Sequence, residues 1–193
     1  LTSPLQLAMM TARIATGREV TPRLIRLIDG VTQPSGLGES LGINENTLRR
    51  VRASMNDVCN HRRGTAYRSR IIDDAHKMAG KTGTSQVRRI TPEERAAGVT
   101  RNEDLPWERR DHALFVGFAP YVNPRYAVSV VVEHGGGGSA AAAPIARDIL
   151  LQAQYGGPPP LEAYPAEVRD RIAEQQSRIE ARIPPGAKGR SRV

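Results

Sequence analysis

Lys81-Thr82-Gly83-Thr84-Ser85-Gln86 sets a cation, three hydroxyls and a residue without a side chain in consecutive positions, after Ala79-Gly80 and before Val87. The run from Gly80 to Ile90 predicts a β-strand. On such a strand side chains alternate, so Thr82 and Thr84 point the same way. Lys81 supplies charge, and Gly83 admits the close approach of another backbone. Free N–H groups along the edge can pair with an extended peptide. The combination is an anion-binding edge. A bare Lys-Thr-Gly triplet also recurs by chance at ordinary strand starts, so its weight rests on the rest of the chain.

Other chemistry-bearing residues point nowhere so definite. No serine has a lysine three residues later. Ser54-Met55-Asn56 sits in a helical, core-like pattern. His112 and His134 flank two predicted strands, but Asp111-His112 has no identifiable nucleophile to complete a triad. Gly135–Gly138 precedes a helix as a phosphate-binding turn would, yet lacks the following Lys-Ser/Thr; a tight strand-to-helix turn is the reading adopted. Cys59 is the single cysteine, which excludes an intrachain disulfide and suits a packing residue. Neither Cys59-Asn60-His61 nor Asp73-Asp74-Ala75-His76 has zinc-site spacing, so no metal and no cofactor are expected.

These residues need elements to hold them. Ser3-Pro4-Leu5-Gln6 reads as a capped helix start, with Gly17 as its stop. Arg23–Ile28 reads as a strand and Gly30–Gly42 as a loop. Asn44–Asn60 reads as a second helix with Leu48, Val51, Met55, Val58 and Cys59 on one face. Ala113–Ala119 and Tyr126–Glu133 form an antiparallel hairpin about the turn Tyr121–Arg125, and the second is apolar enough to predict burial on both faces. The polar stretch between Val87 and Asp111 reads as a long functional or mobile loop. A helix from Ser139 to Tyr155 carries Ile145, Ile149 and Leu150 as its apolar stripe. Gly156–Pro160 marks a boundary. Beyond it, Glu167–Arg182 predicts a charged helix with Val168, Ile172, Ile179 and Ile183 as a thin stripe, marginal in isolation, and Gly186–Val193 a disordered end.

The chain has 193 residues, enough for one domain with a sizeable core, and a net charge of +8. Of its 28 basic residues only Lys77, Lys81 and Lys188 are lysines. Basic chains often meet nucleic acid or anionic surfaces. Here the arginines are interleaved with acidic residues and aromatics are 4%, so no nucleic-acid partner is expected. No apolar run reaches the roughly 18–20 residues of a membrane span. The start at Leu1 suggests a truncation, with any anchor upstream.

Five stretches, in order, carry a resemblance to a known family: Leu1–Ala8, Gly64-Thr65-Ala66, Met78–Val87, Asp111–Tyr121 and Val131–Gly138, with Lys81-Thr82-Gly83-Thr84 the core of the third. The chain resembles the C-terminal part of a class B penicillin-binding protein, most like the elongation (rod-shape) peptidoglycan D,D-transpeptidase of Gram-negative bacteria, over residues 1–155. The resemblance implies an α+β fold of β-lactamase/transpeptidase type, an antiparallel sheet packed with helices, of which this chain carries three core strands and the C-terminal helix. It implies a transpeptidase portion over 1–156; composition makes 157–193 a Pro-rich linker and a charged, mobile tail. It implies a penicillin-binding serine acyltransferase acting on D-Ala-D-Ala stem peptides, with β-lactam antibiotics as ligands and membrane proteins of the elongation complex as partners. The place implied is the periplasmic face of the bacterial inner membrane. Lys81, Thr82, Gly83, Thr84, Ser85 and Gln86 would bind substrate, and the Thr84 N–H would be one oxyanion donor. The family's Ser-x-x-Lys and Ser-x-Asn motifs would lie upstream, leaving this chain inactive alone. The alternative from another class is a non-catalytic peptide- or partner-binding module derived from the same fold.

Overall fold

The computed structural model describes residues 2–33 and 36–182. Helix α1 (Pro4–Thr16) starts as its sequence requires. The Ser3 hydroxyl accepts from the Gln6 N–H at 3.2 Å, and the Gln6 side chain accepts from the Ser3 N–H at 2.7 Å, a reciprocal capping box. The chain then forms a small exposed hairpin, β1 (Leu27–Ile28) with β2 (Val31–Thr32). The strand expected over Arg23–Ile28 shrinks to its last two residues, because Leu24 and Ile25 find nothing to pack against. Asp29 and Gly30 both take positive φ, 49° and 80°, the conformation a two-residue hairpin turn demands, so the expected loop from Gly30 contains the second strand.

Helix α2 (Glu45–Asn60) is capped by Asn44 and buries Leu48, Met55 and Cys59. Strand β3 (Ala79–Ser85) opens a three-stranded sheet of order β3-β4-β5, with β4 (His112–Ala119) and β5 (Tyr126–Val132). Both pairings are antiparallel, with Lys81 opposite Val116 and Val116 opposite Ser129. β3 stops at Ser85 rather than Ile90, where its partner strand stops at His112. The stretch that follows is not structureless: it holds the short helix α3 (Pro92–Ala97) and is pinned by a two-pronged Arg88–Glu94 pair, both contacts 2.6 Å.

The sheet has two covers. α1 and α2 lie on the face of Phe118, where Ala15, Met55 and Ala79 pack. Helix α4 (Ala142–Tyr155) covers the face of Phe115, Val128 and Val130. α4 begins at Ala142, three residues later than expected, because the preceding N–H groups are taken in a turn on the Gly137 and Gly138 carbonyls. The expected apolar stripe is also corrected. Ile145 and Ile149 are 43% and 47% exposed, and the buried face is Ala142, Ala143, Ala146, Arg147, Leu150 and Leu151. Small alanines let the helix axis approach the sheet, and that closeness selects the face. β5 is likewise less enclosed than its composition suggests: Val128 and Val130 are buried while Val131 is 37% exposed.

After Gly156 the chain returns to the body. Ala163, Tyr164 and Ile172 join the core formed by α4 and the sheet, and helix α5 (Arg169–Arg182) docks through Ile172. The thin helix is therefore not isolated. Its expected stripe residue Ile179 is exposed, and Ile183 and the Gly186–Val193 end lie outside the described residues. No helix of the described residues is long and apolar enough to cross a membrane.

Candidate functional site: the open edge of strand β3

β3 has one neighbour, β4, so among the described residues its other edge pairs with no strand. Alternation splits its side chains. Lys81 shares a face with Val116 and reaches the apolar groove of α1 and α2, beside Met10, Ile14 and Met55. Thr82 shares a face with Phe115, on the α4 side, and Thr84 follows it. The cation and the hydroxyls thus stand on opposite faces and meet only along the strand's edge. Lys81 is exposed, no carboxylate of the described residues pairs with it, and its Nζ turns along the strand to donate to the Thr82 carbonyl at 2.6 Å.

Which backbone groups face the open edge follows from two contacts. The Gly80 backbone hydrogen-bonds the buried Cys59 thiol on α2. The Thr82 carbonyl receives Lys81. In an antiparallel strand every second residue points both polar groups the same way. Gly80, Thr82 and Thr84 therefore turn outward, and the Thr84 N–H lies on the open edge. Cys59 itself is a packing residue: burial pushes its thiol up to about 12, with the Gly80 hydrogen bond acting the other way.

Two segments far away in sequence brace this strand. The loop after α2 is tied back by the Ala66 N–H on the Val58 carbonyl at 3.0 Å. It brings Thr65 Oγ1 to 2.9 Å from Thr82 Oγ1. From the other side, the turn before α4 lays Gly138 on the Gly83–Leu114 pair so closely that an added Cβ would overlap the Gly83 and Leu114 carbonyl oxygens. The glycine that this close approach requires is Gly138; a Cβ on Gly83 would meet only the Leu114 side chain at 3.4 Å, so the expectation that Gly83 admits another backbone is not met among the described residues.

The remaining expected site residues fall at the strand's end. Ser85 pairs with His112 and is exposed; Gln86 is exposed and lies beyond the strand, so it does not continue the edge as expected. His112 and His134, which flank the hairpin in sequence, meet here. The His134 N–H donates to His112 Nδ1 at 2.9 Å, and the Trp107 ring packs against the His134 ring at 4.3 Å between centroids, tilted by 52°. Ser54 lies mid-helix in α2 on the groove that Lys81 also lines, and Asn56 accepts from the Asn60 side chain at 2.8 Å. Sequence reasoning gave no role to Thr65, although the Gly64-Thr65-Ala66 stretch stood out; nothing local marks its reach across to Thr82. No group of three or more His, Cys, Asp or Glu converges among the described residues as a metal site would require.

An edge strand with an exposed lysine, outward hydroxyls and an outward N–H can hold an extended peptide by its backbone and an anionic end by charge. The chain is similar to known proteins over most of its length. Residues 1–151 match the model of the penicillin binding protein transpeptidase domain. The peptidoglycan D,D-transpeptidase MrdA of Acinetobacter baumannii is 38% identical over 141 residues, 69% of this chain and 20% of that protein. MrdA of Haemophilus influenzae is 31% identical over 190 residues, 93% of this chain and 28% of that protein. Among solved structures, PBP2 of Helicobacter pylori, in complex with MreC, superposes with a TM-score of 0.59 at 32% identity, covering 80% of this chain and 25% of that one. PBP2 of Pseudomonas aeruginosa, in complex with WCK 5153, gives 0.58 at 35%, covering 79% and 29%. The chain spans less than a third of the length of each of these proteins. A match running from residue 1 to residue 151, over the sheet, its two helical covers and the open strand, places the chain in the penicillin-binding-protein transpeptidase family, with PBP2-like relatives.

Proposed function

We propose that this chain is the C-terminal part of a peptidoglycan D,D-transpeptidase of the elongation type, and that β3 is its substrate-binding strand. The observation that carries the reading is the open edge of β3, with Lys81 on one face, Thr82 and Thr84 on the other and the Thr84 N–H turned outward. A stem peptide ending in D-Ala-D-Ala lies along this edge as an added strand. Its terminal carboxylate, or the matching carboxylate of a β-lactam, meets the Thr82 and Thr84 hydroxyls in the field of Lys81. The Thr84 N–H donates to the oxyanion formed when a serine attacks the scissile carbonyl. That serine and its base come from outside these 193 residues, where no serine has a lysine three positions on. The work is cell-wall elongation and hence cell shape, at the periplasmic face of the inner membrane. The Helicobacter pylori relative was solved with MreC, which supports an elongation-complex partner of that kind.

The test uses the full-length protein that contains this chain. Lys81→Ala should slow acylation by a labelled penicillin by about 10²–10³-fold, the range for losing a fixed electrostatic contact to the reacting complex. Circular dichroism should be unchanged, since the lysine is exposed. Unchanged acylation in a folded variant refutes the assignment. The 193-residue chain alone should give no covalent adduct by mass spectrometry; a stable adduct on any of its serines would show that the nucleophile is here.

A further inference from the structure

At the Thr65–Thr82 end of β3, on its α4 side, lies a cavity of about 560 Å³ walled by Arg62, Arg68, Arg147 and Arg171, with Thr65 and Ser139 also at its lining. The four arginines come from three places: the loop after α2, helix α4 and helix α5. No carboxylate lines the cavity. Among the described residues none of Arg62, Arg68 and Arg171 carries an ion pair. A peptide whose terminal carboxylate sits at Thr82 and Thr84 extends past the Thr84 N–H toward Ser85, away from this cavity. What fills the cavity is therefore a separate ligand.

Arg147 is the informative member. It is 1% exposed, an unusual place for a guanidinium, which is seldom fully buried without full pairing. Its Nε donates to Asp148 Oδ1 at 2.8 Å, and its guanidinium carbon lies 5.1 Å from the centre of the Tyr164 ring. Its Nη2 is also 2.8 Å from that oxygen, close enough for charge attraction, but off the line of its N–H bonds, so those donors have no acceptor. Buried donors without acceptors are costly, and a concave wall of like charge raises the local concentration of counter-ions. A carboxylate presents two oxygens in one plane and suits a single guanidinium fork. The donors here arrive from three segments. A phosphate group answers them better, with three acceptor oxygens and a charge of about −1.5 to −2 at neutral pH.

We propose that this cavity is a phosphate site, separate from the Lys81–Thr82–Thr84 edge, and that β3 senses its occupancy through Thr65. The binding half stands without the transpeptidase reading; the sensing half rests on it. Thr65 lines the cavity, and its Oγ1 lies 2.9 Å from Thr82 Oγ1. Each hydroxyl has one proton to give. Where no anion draws it away, the Thr65 proton goes to Thr82 and leaves the Thr82 proton for the terminal carboxylate of the substrate. A phosphate among the arginines takes the Thr65 proton in a hydrogen bond. Thr65 then accepts from Thr82, and the Thr82 proton is lost to the substrate. Phosphate thus opposes acylation without occupying the acylation site. The same anion ties the loop after α2 and helix α5 to α4, which gives the segment after Gly156 a part in the switch through Arg171.

The first experiment is calorimetry on the full-length protein with inorganic phosphate, and with acetate at equal ionic strength as the carboxylate control. Phosphate should bind about tenfold more tightly than acetate, the worth of one further charge-assisted contact. Arg68→Gln with Arg171→Gln, both at exposed positions, should weaken phosphate by at least about tenfold, whereas Lys81→Ala should leave its binding unchanged. No heat with phosphate, equal binding of acetate, or heat that vanishes in Lys81→Ala and survives in the arginine pair overturns the site. Glycerol phosphate as a second probe tells the source: tighter binding than the free ion assigns the cavity to a phosphate ester, weaker or equal binding to the ion itself. The second experiment follows penicillin acylation. Saturating phosphate should slow it by about tenfold, one hydrogen bond. The arginine pair should acylate at the unaltered rate and lose the phosphate effect, and Thr65→Val should keep the heat and lose the effect. Phosphate that binds without slowing acylation, or that slows the arginine pair equally, overturns the sensing half. A full-length protein that never acylates refutes the transpeptidase reading and the sensing half with it, and the calorimetry still decides the site.

Discussion

At the scale of single residues, two contacts from distant sequence set the shape of strand β3. The Thr65–Thr82 hydroxyl pair fixes one hydroxyl rotor of the strand. Thr65→Val should free the Thr82 hydroxyl and slow penicillin acylation by roughly tenfold, about one hydrogen bond, with little change in melting temperature. Gly138 is a steric matter. Gly138→Ala would press a methyl into the Gly83 and Leu114 carbonyls, neither of which can rotate away, and should cost about 1–3 kcal/mol in denaturant unfolding. Stability equal to the unaltered protein would mean that the turn before α4 yields freely. The alternation that puts Thr82 with Thr84 was legible from the residues themselves. Thr65 and Gly138 were not, because no local pattern records which distant backbone will arrive beside a strand.

At the scale of elements, α4 is held to the segment before β3 by a three-residue latch. The Tyr155 hydroxyl donates to Asp73 Oδ2 at 2.6 Å, the His76 ring approaches the same oxygen at 2.7 Å, and the two rings stack at 4.4 Å. The Tyr155 hydrogen bond, with those from His76 and the Ala75 N–H, lowers the Asp73 carboxyl from its ordinary 3.8. A carboxyl lowered in the folded state contributes stability above its unfolded value and loses it as pH falls through the folded one. Tyr155 runs the opposite way: burial first, then Asp73, raises its phenol from 10 to about 12, so its contribution is complete below 10 and fades toward 12. Tyr155→Phe should therefore lower stability by about 1–2 kcal/mol at neutral pH and flatten both the acid and the alkaline limbs of a stability–pH profile. A variant with the same profile as the unaltered protein would remove the latch from the account. Capping residues announced α1 and α2 because a cap is a local device. The wrong face was expected of α4 because isoleucine outranks alanine in apolarity, while close approach to a sheet favours the smaller residue.

At the scale of the whole molecule, β5 is the weak side. Its one strand partner is β4, and Val131 is 37% exposed. Among the described residues nothing pairs with its outer edge, and the strand holds no proline. Such an edge invites pairing between copies. The purified 193-residue chain should associate despite its +8 charge, and light scattering after size exclusion is the check. A monodisperse monomer, with residues 126–132 strongly protected in hydrogen exchange, would show the edge to be covered. The α+β architecture, the hairpin and the order of strands were readable because each strand is bounded by its own turn signals. The return of Tyr164 and Ile172 to the core was not, since a Gly-Pro run reads as a boundary whether or not the chain beyond it folds back.

The division of Lys81 from Thr82 and Thr84 between two faces bears on how the length of this protein can vary. A residue inserted or deleted between the Asp73 latch and Ala79, if absorbed by sliding the strand, would exchange the two faces, sending the lysine toward α4 and the threonines into the apolar groove. Between Val87 and Asp111, where the chain leaves the sheet and returns to it, the same change displaces neither face. Functional homologues should therefore differ in length freely in the second interval and almost never in the first.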